Sequence, residues 1–416
     1  MRSVDKLRGS GDAPLSGRVV VRDRTTWTLY GLLGLVGFLL NGLGAVLAPL
    51  QRDLHVERAQ VAYYPSLFAV GLLTFGTVGG RVVARVGRLA LARGALVLLA
   101  IGALLLCSGT HRPTMAGAAL LGLGAAMLVQ MVPAGLSQIH GPQAPVALGE
   151  ANALSSVAAV AGPLCVAAAI GAGLGWRIGY LLVPLVAIVV LGALMRPMPP
   201  PPVGDHPIAP AGAGLGPGRL LGRWVDLLLA ISAEFCMVFW TADALGSWHS
   251  AGAGQAAALT GVFIAGMAMV RAGSQRLMGD RPLSTVTGGS AGVAVIGFAG
   301  FWAAPNLAWA AVGLLVTGMG VALLYPVTVA RVVAAWPDRP DAASSRAALA
   351  SGLAIGVAPL VLALLAGVVG LRTAYLVVPI LLMVLLGRAA SRRSSEELPD
   401  ARATLVGDDE RGSQRP

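Results

Sequence analysis

Long apolar runs alternate with short polar breaks from residue 27 to residue 387. A helix rising 1.5 Å per residue needs about 20 mainly apolar residues to cross hydrocarbon. Reading for such runs predicts twelve spanning helices, at 27–50, 60–83, 89–109, 114–137, 152–174, 178–195, 224–247, 255–275, 283–303, 307–330, 347–369 and 373–387. Several breaks are very short, such as Trp176–Arg177 and Pro305–Asn306, which suits helical hairpins. The first apolar run is of full spanning length with no small-residue cleavage site after it, so it is read as a retained helix and not a cleaved signal.

Composition agrees with this pattern. Of 416 residues, 56% are hydrophobic and 12% charged, against roughly 25% charged in an average soluble domain. Mean hydropathy is +0.77. So apolar a chain belongs in a bilayer, which excludes a disordered protein, a disulfide scaffold and an ordinary water-soluble enzyme. The 56 glycines lie mostly inside the predicted helices, where small residues let membrane helices approach closely. Cys107, Cys165 and Cys236 each fall inside an apolar run, without metal-ligand spacing, and read as small buried hydrophobes. No cofactor or metal site is expected.

The net charge of +11 is an orientation signal. With the N-terminus placed in the cytoplasm, 25 Lys and Arg residues fall on the inside and 5 (Arg52, Arg58, Arg112, Arg177 and Arg372) on the outside. Both termini are thus expected in the cytoplasm, and no nucleic-acid partner is needed to explain the charge. Arginine outnumbers lysine 29 to 1, which suits a GC-rich genome and a bacterial inner membrane.

The chain also repeats itself. Phe68, Gly71 and Arg81 recur as Phe263, Gly266 and Arg276 at an offset of 195, and Arg177, Tyr180 and Pro184 as Arg372, Tyr375 and Pro379. Gly122, Gly124 and Pro163 recur as Gly318, Gly320 and Pro359 at 196. The expected organisation is a cytoplasmic N-terminal tail (1–26), a six-helix bundle (27–195), a Pro/Gly-rich linker (196–223), a second six-helix bundle (224–387) and a disordered cytoplasmic tail (388–416). Parallel repeats of this kind are one architecture of secondary transporters.

The most specific local motif follows the second helix, GRVVARVGR from Gly80 to Arg88. With the repeat and the helix count, it resembles the major facilitator superfamily (MFS) of transporters. Gly80, Arg85, Gly87 and Arg88 match the family pattern, Arg81 lies within it, and Ala84 stands where the family has an acidic residue. The resemblance implies an all-α fold of twelve transmembrane helices in two six-helix halves. It also implies a cytoplasmic gating function for this loop, with the acidic half of the latch missing. Gly162 and Pro163, in AVAGP of the fifth helix, resemble the kink motif of the family's antiporters, although most flanking glycines are absent. In the fourth helix, Ala118 occupies the position where such antiporters often carry Arg.

Polar groups inside hydrocarbon are costly, so those present carry the functional reading. Glu234 lies about ten residues, roughly 15 Å, into the seventh span, and is the proton-coupling candidate. The competing reading is a structural Glu tied to an Arg. Asn41, Gln130, Trp240, Thr241 and Tyr325 are candidates for the substrate cavity; Gln130 and Tyr325 are repeat mates. Asp243 is read as interfacial or gating, Arg271 as snorkelling to water, and His140 as solvated. No nucleophile elbow, phosphate loop or paired-histidine motif occurs. The expectation is a monomeric, proton-coupled secondary transporter of a small organic molecule, leaning to efflux of hydrophobic or amphipathic compounds. Uptake of a sugar or organic anion is the alternative within transport, and a membrane sensor or intramembrane enzyme the alternative outside it.

Overall fold

The computed structural model describes residues 22–196, 217–278, 281–333 and 340–392. Among them, twelve helical segments are long and apolar enough to span a membrane, and no strand is present. They are α1 (Arg24–Leu54), α2 (Arg58–Gly79), α3 (Arg88–Leu106), α4 (His111–His140), α5 (Ala144–Gly171), α6 (Trp176–Leu194), α7 (Leu220–His249), α8 (Ala253–Ala272), α9 (Leu283–Trp302), α10 (Leu307–Val332), α11 (Arg346–Val369) and α12 (Leu371–Arg392). The alternation of spans leaves the start of α1 and the end of α12 on one face, called here the termini face. Val189, Ile296 and Val368 stay exposed, as lipid-facing side chains should.

All twelve expected spans are present, with ends shifted for physical reasons. The helix of α5 begins eight residues before the expected 152. Pro145 is tolerated in its first turn. Glu150 is satisfied there by Arg22, whose Nε lies 2.9 Å away, and by the Tyr30 hydroxyl at 2.9 Å. Helix α7 is already helical from Pro217, inside the expected linker, and α12 runs on to Arg392, into the expected tail. Residues 1–21, 197–216 and 393–416 of the expected tails and linker lie outside the described residues. At the start of α1, Asp23 caps the helix by accepting from the Thr26 backbone at 2.8 Å. Burial pulls its carboxyl up, but the Thr26 hydrogen bonds and nearby His140 outweigh this and hold it below the usual carboxylate range. His140 is not simply solvated, because its Nε2 lies 3.0 Å from the Thr26 hydroxyl.

The sequence repeat reappears as a repeat of contacts. A Cβ at Gly122 of α4 would collide with the Phe68 carbonyl of α2, and one at Gly318 of α10 with the Phe263 carbonyl of α8. The same holds for Gly102 and Gly117 between α3 and α4, and for Gly297 and Gly313 between α9 and α10. At each of these sites two backbones touch, which only glycine permits. At the face opposite the termini, Arg177 donates to the Cys107 carbonyl at 3.1 Å and pairs with Asp53 at 2.6 Å. Its repeat mate Arg372 donates to the Trp302 carbonyl at 3.1 Å, but Trp248 stands where Asp53 would, with the guanidinium 5.9 Å from its ring centre.

The halves meet through α1 with α7, α2 with α11 and α5 with α8. The named contacts lie in the middle and toward the face opposite the termini. Gly44 meets the Val238 backbone, the Ser66 hydroxyl donates to the Gly356 carbonyl at 2.6 Å, and Gly261 rests against Pro163 and Leu164. By contrast, α4 and α5 make no extensive contact with α10 or α11 among the described residues. The molecule is therefore closed opposite the termini and parted toward the termini face.

Candidate central site and outer latch

Glu234 sits at the middle of α7, where the sequence places it, with its side chain 12% exposed. Its partner is Arg271 near the end of α8, whose Nη2 lies 3.4 Å from Glu234 Oε1. Arg271 therefore does not simply snorkel to water. Its Nε donates to the Ala322 carbonyl of α10 at 3.2 Å. In an unbroken helix that carbonyl would accept from residue 326, but residue 326 is proline and has no N–H. The helix loosens at Ala322 and Leu323, and the guanidinium fills the vacancy. Tyr325, one residue before that proline and 41% exposed, lies within reach of Glu234, Arg271 and Ser351 of α11. Four helices thus contribute to one polar cluster in the membrane interior.

The other cavity candidates are placed differently. Asn41 is half-buried and donates to the Gly37 carbonyl of its own helix at 2.9 Å. Gln130 lies against Gly76 and Gly79 of α2, within the first half. Trp240 is 1% exposed and its indole donates to the Pro359 carbonyl at 3.0 Å, so it fastens α7 to α11. Thr241 is fully buried between the Met237 carbonyl and the Tyr375 hydroxyl. Neither of these two side chains lines a cavity, because the face of α7 that carries them is packed inside the protein. Gly162 lets α5 touch α1 at the Phe38 carbonyl, and the helix runs through Pro163, which packs on Gly261 of α8. Along the loop after α2, Arg81 and Arg85 are exposed, and Gly87 takes φ +77°. Arg88 is half-buried, and its Nη1 has no hydrogen-bond partner among the described residues. Gly80 sits within the helix that extends α2. No cluster of metal-ligating side chains occurs among the described residues.

Opposite the termini, a cavity of about 590 Å³ lies between the ends of α1, α7 and α8, lined by Ala48, Arg52, His55, Asp243 and Ser247 among others. Asp243, on its wall, is bound to Arg58 of α2 at 2.6 Å. This pair ties the two halves at the closed face, with side chains 30% and 17% exposed. Removing its charge in Asp243→Asn should weaken closure by about 1 kcal/mol, roughly a fivefold shift in the population open at that face. A membrane-impermeant thiol reagent applied there should label Asn41→Cys faster in the Asp243→Asn background. Equal labelling rates would show that the pair does not hold the closure.

The family model of the Major Facilitator Superfamily matches residues 29–314, more than half of the chain. The chain belongs to the Major Facilitator Superfamily. It is therefore an MFS transporter and not an enzyme. No curated protein matches the sequence. Among solved structures, a bacterial homologue of the human lysosomal transporter Spinster, in an inward-facing and occupied conformation, superposes with a TM-score of 0.71 at 14% identity, covering 90% of this chain and 98% of that one. The human organic anion transporter MFSD10 (TETRAN) gives 0.64 at 15% identity, with 88% and 99% covered. An auto-inhibited peptide transporter of the POT family gives 0.65 at 12%, with 89% and 96% covered. These likenesses establish the fold, twelve helices in two six-helix halves, and the family match with the twelve apolar helices makes the chain a multi-pass membrane protein.

Proposed function

We propose that this MFS protein is a monomeric, proton-coupled secondary transporter of a small organic molecule, with Glu234 as the proton-carrying group. The observation that carries the reading is the mid-membrane place of Glu234, held to Arg271 only by a long contact of 3.4 Å rather than locked in a tight structural pair. Asp53, Glu150, Asp226 and Asp243 pair near the ends of spans, whereas Glu234 lies in mid-membrane beside the parted side of the molecule. A carboxyl there can exchange a proton with the termini face and, after the halves rock, with the other. The bundles at 27–195 and 224–387 would be the moving bodies, with the Gly80–Arg88 loop gating their cytoplasmic mouth. The 25-to-5 charge asymmetry supports cytoplasmic termini, and the 29-to-1 excess of arginine over lysine a bacterial inner membrane; on that orientation the conformation described is inward-facing.

The expected test uses proteoliposomes and a substrate found by an accumulation screen on a deletion strain, across drugs, sugars and acids. Glu234→Gln should abolish accumulation driven by a pH gradient while sparing substrate counterflow. Undiminished proton-driven accumulation in Glu234→Gln would remove Glu234 from the coupling. The apolar surroundings favour an amphipathic substrate, the basis of the lean to efflux. A cation at the centre favours the second reading, symport of an organic anion.

A further inference from the structure

We infer that Arg271 is the receptor for an acidic group on the substrate, and that this group displaces Glu234 from the guanidinium. The inference rests on the proton-coupling reading above and names the substrate class for the same site.

The two partners are held unequally. Arg271 is anchored through Nε to a carbonyl that Pro326 leaves without its helical donor. Satisfying that carbonyl in the membrane interior fixes the guanidinium whether or not Glu234 is bound. Glu234 is attached by a single 3.4 Å contact. The pairs Arg58–Asp243, Arg177–Asp53 and Arg388–Asp226 close to 2.6 Å. Glu234 is therefore the loosely held member of a pair whose cation is fixed.

Arg271 also has capacity to spare. A guanidinium has five N–H donors in a fork that fits carboxylate or phosphate oxygens. One is committed to Ala322, and one reaches Glu234 at long range. The side chain is 32% exposed, so an acid entering from the parted side can meet it. The Tyr325 hydroxyl stands at the same place, while the Ser351 hydroxyl is spent on the Ala347 carbonyl at 2.9 Å. A bidentate oxyanion makes better hydrogen bonds to this fork than Glu234 does.

The exchange conserves charge. An incoming monoanion takes the guanidinium, and the released carboxylate is left in low-dielectric surroundings, where it is stable only as the neutral acid. It takes one proton from water at the open face. No covalent bond is made or broken apart from this O–H. Anion and proton then occupy the site together, and the loaded site carries the same net charge as the empty one.

The test does not require the physiological substrate. Butyrate, octanoate, benzoate and octyl phosphate are compared with butyramide, octanamide, benzamide and octylamine for thermal stabilisation of the detergent-solubilised protein. Proton uptake on ligand addition is followed by a pH dye in weak buffer. The acids alone should stabilise, and the best acid should drive uptake of about one proton per bound anion. Arg271→Gln should weaken that acid about 10- to 100-fold. Arg271→Lys, which keeps the charge, should recover part of the loss. Glu234→Gln should bind the acid at least as tightly as wild type and take up no proton. Stabilisation by the amides or the amine alone, by no acid at millimolar concentration, or by acids equally in Arg271→Gln would overturn the inference. Acid binding that depends on Arg271 without proton uptake would leave Arg271 as the receptor but overturn both the displacement step and the coupling reading. Proton-driven transport that survives Arg271→Gln and fails in Glu234→Gln would keep the coupling reading and overturn the receptor.

Discussion

Alanine at Gly122 should strongly destabilise the folded protein, while alanine at Gly289 should leave it unchanged. The added Cβ at Gly122 meets the Phe68 carbonyl carbon and oxygen and Cα, all of them backbone. No side chain can rotate away to make room, so α4 and α2 must move apart along their contact. Overpacking of this kind costs about 1–3 kcal/mol even where side chains can adjust, and here the expected loss is at or above the upper end. Gly289 has nothing within 4 Å of its Cβ position, so its alanine tests whether loss of a membrane glycine matters by itself. Gly318→Ala should behave like Gly122→Ala, because Gly318 meets the Phe263 backbone in the same manner. Thermal unfolding in detergent measures all three. A Gly122→Ala protein that melts with wild type would refute the backbone-contact argument.

The second large effect belongs to Asp226. This carboxylate is 2% exposed at the start of α7 and holds both Arg388, at 2.6 Å, and Arg392 of α12. The two guanidinium groups also donate to the Gly222 carbonyl. Asp226→Asn keeps the shape and removes the charge, leaving two cations facing one carbonyl. Breaking a buried pair by neutralising one partner costs on the order of 3 kcal/mol. Exposure of the arginines, 33% and 26%, lets them turn toward water and lowers that figure somewhat. The expected result is a clear fall in melting temperature and faster proteolysis beyond Arg388. Unchanged melting in Asp226→Asn would mean that α12 is held by apolar packing alone.

Twelve spans, their order and the repeat were legible in the sequence, because length and apolarity fix a membrane helix almost without regard to its neighbours. Glu234 was legible for the same reason, as an acid where hydrocarbon forbids one. Its partner was not. Arg271 lies close enough to a span end to read as a snorkelling cation, and what turns it inward is a missing N–H at Pro326, which no hydropathy pattern records. Trp240 and Thr241 failed as cavity residues for a related reason. They share a helix with Glu234, but α7 is apolar nearly all round, so periodicity cannot say which stripe faces a cavity and which faces protein. Asp226 escaped notice because its arginines lay in a stretch read as tail.

The outer ends of the two halves hold the same arginine in different ways. Arg177 pairs with the carboxylate of Asp53 and lies over the Trp176 ring, whereas Arg372 lies over the rings of Trp302, 5.0 Å away, and Trp248, 5.9 Å away. Dissolved ions weaken an exposed carboxylate–guanidinium pair, though only modestly at contact distance, well inside the Debye length of about 8 Å at physiological strength. Both arginines rest on aromatic faces, so the Asp53 pair is the part of the first cap on which the ions act. Rising salt at the face opposite the termini would therefore weaken the cap of the first half slightly more than that of the second, giving the two halves unequal sensitivity to ionic strength.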